Sequence, residues 1–232
     1  TENNTYVTFV AGNTSDTDTG DIVLTADTGA KVTSADSFTY TPAGNITSVN
    51  PEKGQNGVIV TIFGTDLLGG ASGLESVVIV GVTVADILDE NSENITVRLA
   101  KKSVNATGDI ILTSLNGAVI TLEDGFEYAA PAIFTAVTPD NGQTGTTVII
   151  TGTDLLQGGT NITNVTLNDV AATIIRHNDT YIEVEAARGN SAATGDIVII
   201  ADTGAFATGT NLFTYLNEGN ITAVTPSSGQ LN

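Results

Sequence analysis

The chain has 232 residues, of which 41% are apolar, and a formal net charge of −19 with only four Lys and three Arg. So few cations leave no patch able to neutralise phosphates, which excludes a nucleic-acid partner. No run approaches the roughly 18 apolar residues of a membrane helix, and the absence of Cys excludes disulfides, thiol catalysis and Cys-zinc sites. The 38 Thr, with many Val and Ile, suit half-buried pleated surfaces, so the composition predicts an all-β chain.

Residues 1–43 run TYVTFVA, an acidic DTDTGD loop, DIVLTAD and SFTYTP, a strand series without its opening part. The series returns at 94–130 as NITVRLA, NATGD, DIILTS and GFEYAA, and at 180–217 as TYIEVEA, AATGD, DIVIIAD and LFTYLN. Ahead of the two later copies stands a second recurring stretch, ITSVNPEKGQNGVIVTIFGTDLL at 46–68 and FTAVTPDNGQTGTTVIITGTDLL at 134–156. Its opening comes a third time as ITAVTPSSGQLN at 221–232. A chain with such a period is organised as an array. The predicted units are a back half at 1–43, complete repeats at 44–130 and 131–219, and a first strand at 220–232.

Each complete repeat shows about seven short strands with turn signals every 8–12 residues, the pattern of a β-sandwich. In the first complete repeat the expected strands are VIVTIF, SVVIVG, VTVADI, NITVRLA, DIILTS, AVITL and FEY. Val60 and Ile62, like Val148 and Ile150, share one face by the period of two. In the closing Phe-x-Tyr, at 38/40, 126/128 and 213/215, the Phe is expected in the core and the Tyr at the rim, its hydroxyl needing a partner. The Leu67 and Leu155 side chains of the two GTDLL segments are expected to pack inward.

An extended strand into Pro, a Gly-Gln turn, V-x-I-x-G-T-x-L, a Gly-initiated strand and a closing F-x-Y, in that order and repeated, resemble the IPT/TIG family. The resemblance covers the whole chain. It implies tandem immunoglobulin-like β-sandwiches in series, without the inter-sheet disulfide, and by itself no particular function.

The spacing across the repeats is tight. Phe to Pro over each junction is 13 residues every time (38 to 51, 126 to 139, 213 to 226), and Gly to Phe within each back half is 18 (20 to 38, 108 to 126, 195 to 213). Connections this short cannot act as flexible tethers. A fixed junction sets the angle between neighbours, as a stiff rod requires.

Asp-Thr-Gly occurs twice, at Asp27–Gly29 and Asp202–Gly204, as it does in aspartic proteases. Here each copy falls at a hairpin before the last strands of its own unit, and the third copy is Leu115-Asn116-Gly117. Asx-type turns with Gly at positive φ account for them. Asp16, Asp18 and Asp21 form a weak calcium candidate, because the equivalent loops keep only Gly-Asp. His177, the one His, is expected in a loop, with no second ligand or base near it in the sequence. No catalytic constellation is present, so no enzymatic activity and no cofactor is expected.

N-x-S/T acceptors occur at Asn3, Asn13, Asn45, Asn94, Asn105, Asn161, Asn164, Asn178 and Asn220. The 20 Asn and 50 Ser plus Thr would give about four by chance, so nine is an excess. Asn13, Asn105, Asn161 and Asn178 are expected in loops, Asn45 and Asn220 at equivalent junctions, Asn94 and Asn164 next to strands, and Asn3 near a terminus. These acceptors predict an extracellular or cell-surface glycoprotein. Thr1 is expected to be a processed terminus or the edge of a window cut from a longer array. The alternative, in which 220–232 completes the open unit of a neighbouring subunit, lacks the equivalents of 58–88.

Three functions are compatible with these features: a structural rod segment of an extracellular filament, stalk or sheath that assembles end to end or continues into like domains; an adhesive or receptor ectodomain binding a protein or glycan through sandwich-end loops; and an accessory module of a secreted polysaccharide-active enzyme. The fixed junctions, the acceptor density and the lack of any catalytic constellation favour the first.

Overall fold

A computed structural model describes residues 5–12, 14, 17–189 and 191–230. It is all-β, and its strands run in chain order. The hairpin β1 (Thr19–Thr25) and β2 (Lys31–Thr39) comes first. The first sandwich follows, with β3 (Asn45–Asn50), β4 (Lys53–Gly54), β5 (Ile59–Thr65), β6 (Leu74–Ile79), β7 (Val82–Thr83), β8 (Asp86–Glu90), β9 (Asn94–Arg98), β10 (Ala106–Ser114) and β11 (Val119–Tyr128). The second holds β12 (Ile133–Thr138), β13 (Asn141–Gly142), β14 (Thr147–Thr153), β15 (Ile162–Leu167), β16 (Val170–Ala171), β17 (Thr173–Asn178), β18 (Tyr181–Glu185), β19 (Ala193–Ala201) and β20 (Phe206–Tyr215).

The two sandwiches have one topology. A four-stranded sheet of order β3-β5-β9-β8 faces a five-stranded sheet of order β4-β11-β10-β6-β7, and β12-β14-β18-β17 faces β13-β20-β19-β15-β16. Period-two alternation turns Val60, Ile62, Ile95 and Val97 inward from one sheet and Val77, Ile79, Ile110 and Leu112 from the other, all fully buried. Val148, Ile150, Ile182, Val184, Val165, Leu167, Ile197 and Ile199 build the second core in the same way. Leu67 and Leu155 pack inward, as their place after the Gly-Thr-Asp turn predicts.

Some expectations need correcting. VTVADI is not one strand: β7 pairs with β6, whereas β8 pairs with β9 in the other sheet, so the chain crosses between sheets inside that segment. AVITL and FEY are instead one strand, β11, kept continuous by a bulge. There Asp124 takes a left-handed φ of 48° and its N–H donates to Asp109 Oδ1 at 2.9 Å. The same lock ties Asp36 to Asp21 at 2.9 Å and Asn211 to Asp196 at 2.8 Å. This explains why Gly-Asp is what the three loops share.

The closing Tyr is also not at the rim. Tyr128 and Tyr215 are as buried as Phe126 and Phe213, each ring edge-on to its Phe partner. The Tyr128 hydroxyl donates to the Ala100 carbonyl, and that of Tyr215 has no partner among the described residues. In the β1–β2 hairpin the equivalent apolar face, with Ile22, Leu24 and Phe38, lines an open cavity of about 490 Å³ shared with Val7 and Phe9.

Candidate functional site: the joint between the sandwiches

The two sandwiches meet at a joint built from two turns. On one side is Gln55-Asn56-Gly57, which leads from β4 into β5. Gln55 is 1% exposed and uses its whole amide: Nε2 donates to the carbonyls of Ala129 (2.8 Å) and Lys102 (3.1 Å), while Oε1 accepts from the N–H groups of Asn56 and Lys102. One side chain thus pins the turn, the loop after β9 and the start of the inter-sandwich connection. Gly57, at φ +89°, donates to the Leu99 carbonyl.

On the other side is the β19–β20 hairpin tip, Ala201-Asp202-Thr203-Gly204-Ala205. Gly204, at φ +84°, closes it by donating to the Ala201 carbonyl. Asp202 braces the tip against the neighbouring loop. Its carboxylate accepts from the Thr160 hydroxyl at 2.6 Å and the Thr160 N–H at 3.0 Å. The Thr160 hydroxyl bond is the main reason its carboxyl lies below the usual carboxylate range.

The turn and the tip interlock. The Phe206 N–H donates to the Asn56 carbonyl at 3.0 Å, a backbone bond from one sandwich to the other. A Cβ on Gly57 would lie 2.5 Å from the Phe206 ring and 3.0 Å from the Gly204 oxygen, so only Gly admits this approach. Ala201 and Ala205 are buried with the core of the first sandwich, although they belong to the second. Across the joint, Gly158 allows Ala129 to come within 2.8 Å of where its Cβ would stand. A crevice of about 200 Å³ remains, with Lys101, Pro131 and Phe206 among its walls.

Among the described residues, the sequence-predicted site residues do not converge here or elsewhere. Asn3, Asn13 and Asp16 lie outside the described residues. Asp21 accepts the bulge bond described above, and the Asp18 carbonyl accepts from the Tyr40 N–H. No group of three or more His, Asp or Glu side chains that could hold a metal occurs among the described residues. His177 stands in β17 opposite Ile182 rather than in a loop. Asn105, Asn161 and Asn220 are exposed outside strands, and Asn45 is exposed at the first position of β3. Asn178 ends β17, also not in a loop, and its Oδ1 accepts from both the N–H and the hydroxyl of Thr180. Asn94 opens β9 and Asn164 lies within β15, both half-buried. The joint itself was visible in the sequence only as a recurrent Gln-x-Gly and a recurrent hairpin Gly.

The architecture is that of immunoglobulin-like sandwiches in series. Residues 132–215 match the IPT/TIG domain family, so the second sandwich is an IPT/TIG domain, and the first repeats its strand order element for element. No curated protein matches the chain. Among solved structures, the full extracellular region of plexin A4 is similar at 20% identity over 81% of this chain and 17% of that one, with a TM-score of 0.47. A surface glycan-binding protein from Prevotella bryantii is similar at 13% identity over 77% of this chain and 43% of its own (TM-score 0.33). SGBP-B from a xyloglucan utilization locus of Bacteroides uniformis is similar at 19% over 74% and 49% (TM-score 0.32). The chain thus spans about a sixth of the plexin region and under half of the two bacterial proteins.

Proposed function

We propose that this chain is a structural, glycosylated, rod-like repeat segment of an extracellular filament, stalk or sheath, non-catalytic and assembling end to end. The observation that carries this reading is the joint. A turn and a hairpin tip interlock through a backbone hydrogen bond, two glycines that leave no room for a Cβ, and a fully satisfied buried Gln. Such a joint holds one sandwich at a set angle to the next, which gives reach without a tether. The acidic surface keeps the rods apart and soluble. Glycans on exposed acceptors such as Asn45, Asn105, Asn161 and Asn220 would shield strand edges.

Electron microscopy of the native material tests this. Regular fibres or stalks with a repeat of one sandwich length support it, and isolated compact particles contradict it. Intact mass after secretion from a glycosylating host should exceed the polypeptide mass by several N-linked glycans.

A further inference from the structure

Both halves of the joint occur a second time in the chain. The turn Gln143-Thr144-Gly145 repeats Gln55-Asn56-Gly57: Gly145 has φ +82°, donates to the Ala186 carbonyl as Gly57 donates to Leu99, and is followed by the same bond back to the Gln carbonyl. Where the Phe206 ring fills the space over Gly57, the space over Gly145 is open among the described residues. The hairpin tip Ala26-Asp27-Thr28-Gly29-Ala30 has the same sequence as Ala201–Ala205 and the same turn, with Gly29 donating to the Ala26 carbonyl and Ala26 to that of Ala30. It is exposed, with open space over Gly29 among the described residues.

The residues bordering these two surfaces complement each other in charge. By strand register, Lys31 occupies the position of Val119 and Phe206, each being the first residue after the tip. Three residues after the closing Tyr stand Ala43, Pro131 and Glu218. In the formed joint the pair is Phe206 and Pro131, two walls of one crevice. Of the two open surfaces, the turn side carries Glu218 and the exposed tip carries Lys31. Glu218 is held over that turn by the Thr144 hydroxyl at 2.7 Å and pairs with Arg188 at 3.1 Å, its side chain still 40% exposed. Lys31 has no ion-pair partner among the described residues.

We infer that copies of this chain associate head to tail, the tip 26–31 of one copy seating on the turn 143–145 of another as 201–206 seats on 55–57, with Lys31 meeting Glu218. The contact is heterologous, so it propagates along one direction instead of closing a pair. This rests on the reading of the chain as a rod segment.

The chain has no Cys, so a cross-link reports the contact directly. Lys31→Cys and Glu218→Cys chains are mixed under mild oxidation at about 0.15 M salt, where repulsion between two acidic copies is screened beyond about 8 Å. The mixed disulfide dimer should exceed either single-variant dimer roughly tenfold, and statistical amounts of the three, or none, would overturn the inference. By sedimentation, Lys31→Glu should weaken association roughly tenfold and Glu218→Lys in the same chain should restore it. A monomer at every concentration, or a charge reversal without effect, also overturns it. Scattering from the single chain separates the two ideas. A rigid monomer that does not cross-link defeats this inference alone, whereas a monomer of variable angle defeats the rod.

Discussion

The Phe206 N–H and the Asn56 carbonyl, 3.0 Å apart, join the last hairpin of one sandwich to the first turn of the sandwich before it. That bond runs across 150 residues of sequence, yet it lies beside a covalent connection of only four residues between β11 and β12. A short connection and a distant clasp together restrict rotation far more than either does alone.

The clasp should open when the ring is removed. Phe206→Ala deletes a side chain that is 39% exposed, so the cost to the second sandwich should be modest, about 1 kcal/mol. The angle between the sandwiches should broaden in small-angle scattering while both melting transitions stay within a few degrees of the parent. Gly57→Val should broaden it further and also destabilise the first sandwich by about 1–3 kcal/mol, because it adds left-handed strain to the clash.

Gln55→Ala should cost about 2–3 kcal/mol in denaturant unfolding, since it leaves the Lys102 N–H and the Ala129 carbonyl without the amide that satisfies them. The equivalent Gln143 is exposed, and among the described residues its side chain bonds only the Gly219 N–H, so Gln143→Ala should change stability by under about 0.5 kcal/mol. Equal effects would show that the amide network does not anchor the joint.

Asp124→Gly should stabilise the first sandwich by a few tenths to about 1 kcal/mol by relieving a left-handed non-Gly residue. Asp109→Ala should destabilise it by about 1 kcal/mol by removing the acceptor for the same residue's N–H. Opposite signs at the two ends of one hydrogen bond, measured by chemical denaturation, identify the bulge lock.

Stability should fall at both pH extremes for named reasons. The Asp202 carboxyl is held below its ordinary value of 3.8 by the Thr160 hydroxyl, so its contribution is present above that value and is lost as pH falls through the depressed one. Thr160→Val should flatten that acid limb. Burial pushes the Tyr128 hydroxyl from 10.0 up to about 12 and raises that of Tyr215. Their contribution is complete below about pH 10 and is lost between there and about 12, as the unfolded phenols ionise first. Phenolate absorbance and unfolding should rise together in that range, and Tyr128→Phe should reduce the alkaline loss.

The order of strands, the repeat and the two cores were legible because period-two burial and turn residues carry them directly: Val60 and Ile62 announce β5 as surely as Val148 and Ile150 announce β14. Three features were not. β4, only two residues long, is defined by its parallel pairing with β11 and not by its own sequence. The sheet crossover inside VTVADI depends on which neighbour each half finds. The burial of Tyr128 and Tyr215 depends on loops that close over them, at Ala100 and Gly189. Of the joint, the sequence displayed the parts, Gln-x-Gly and Asp-Thr-Gly, but nothing local says that the first receives the second from the following sandwich.

The central claim is that the joint holds one angle. Spin labels on Asp89→Cys and Asn178→Cys, both exposed and one in each sandwich of an otherwise Cys-free chain, measure it directly. A single narrow distance distribution that broadens when Phe206→Ala is added is the predicted result. A broad distribution in the parent chain, unchanged by that substitution, would contradict the account.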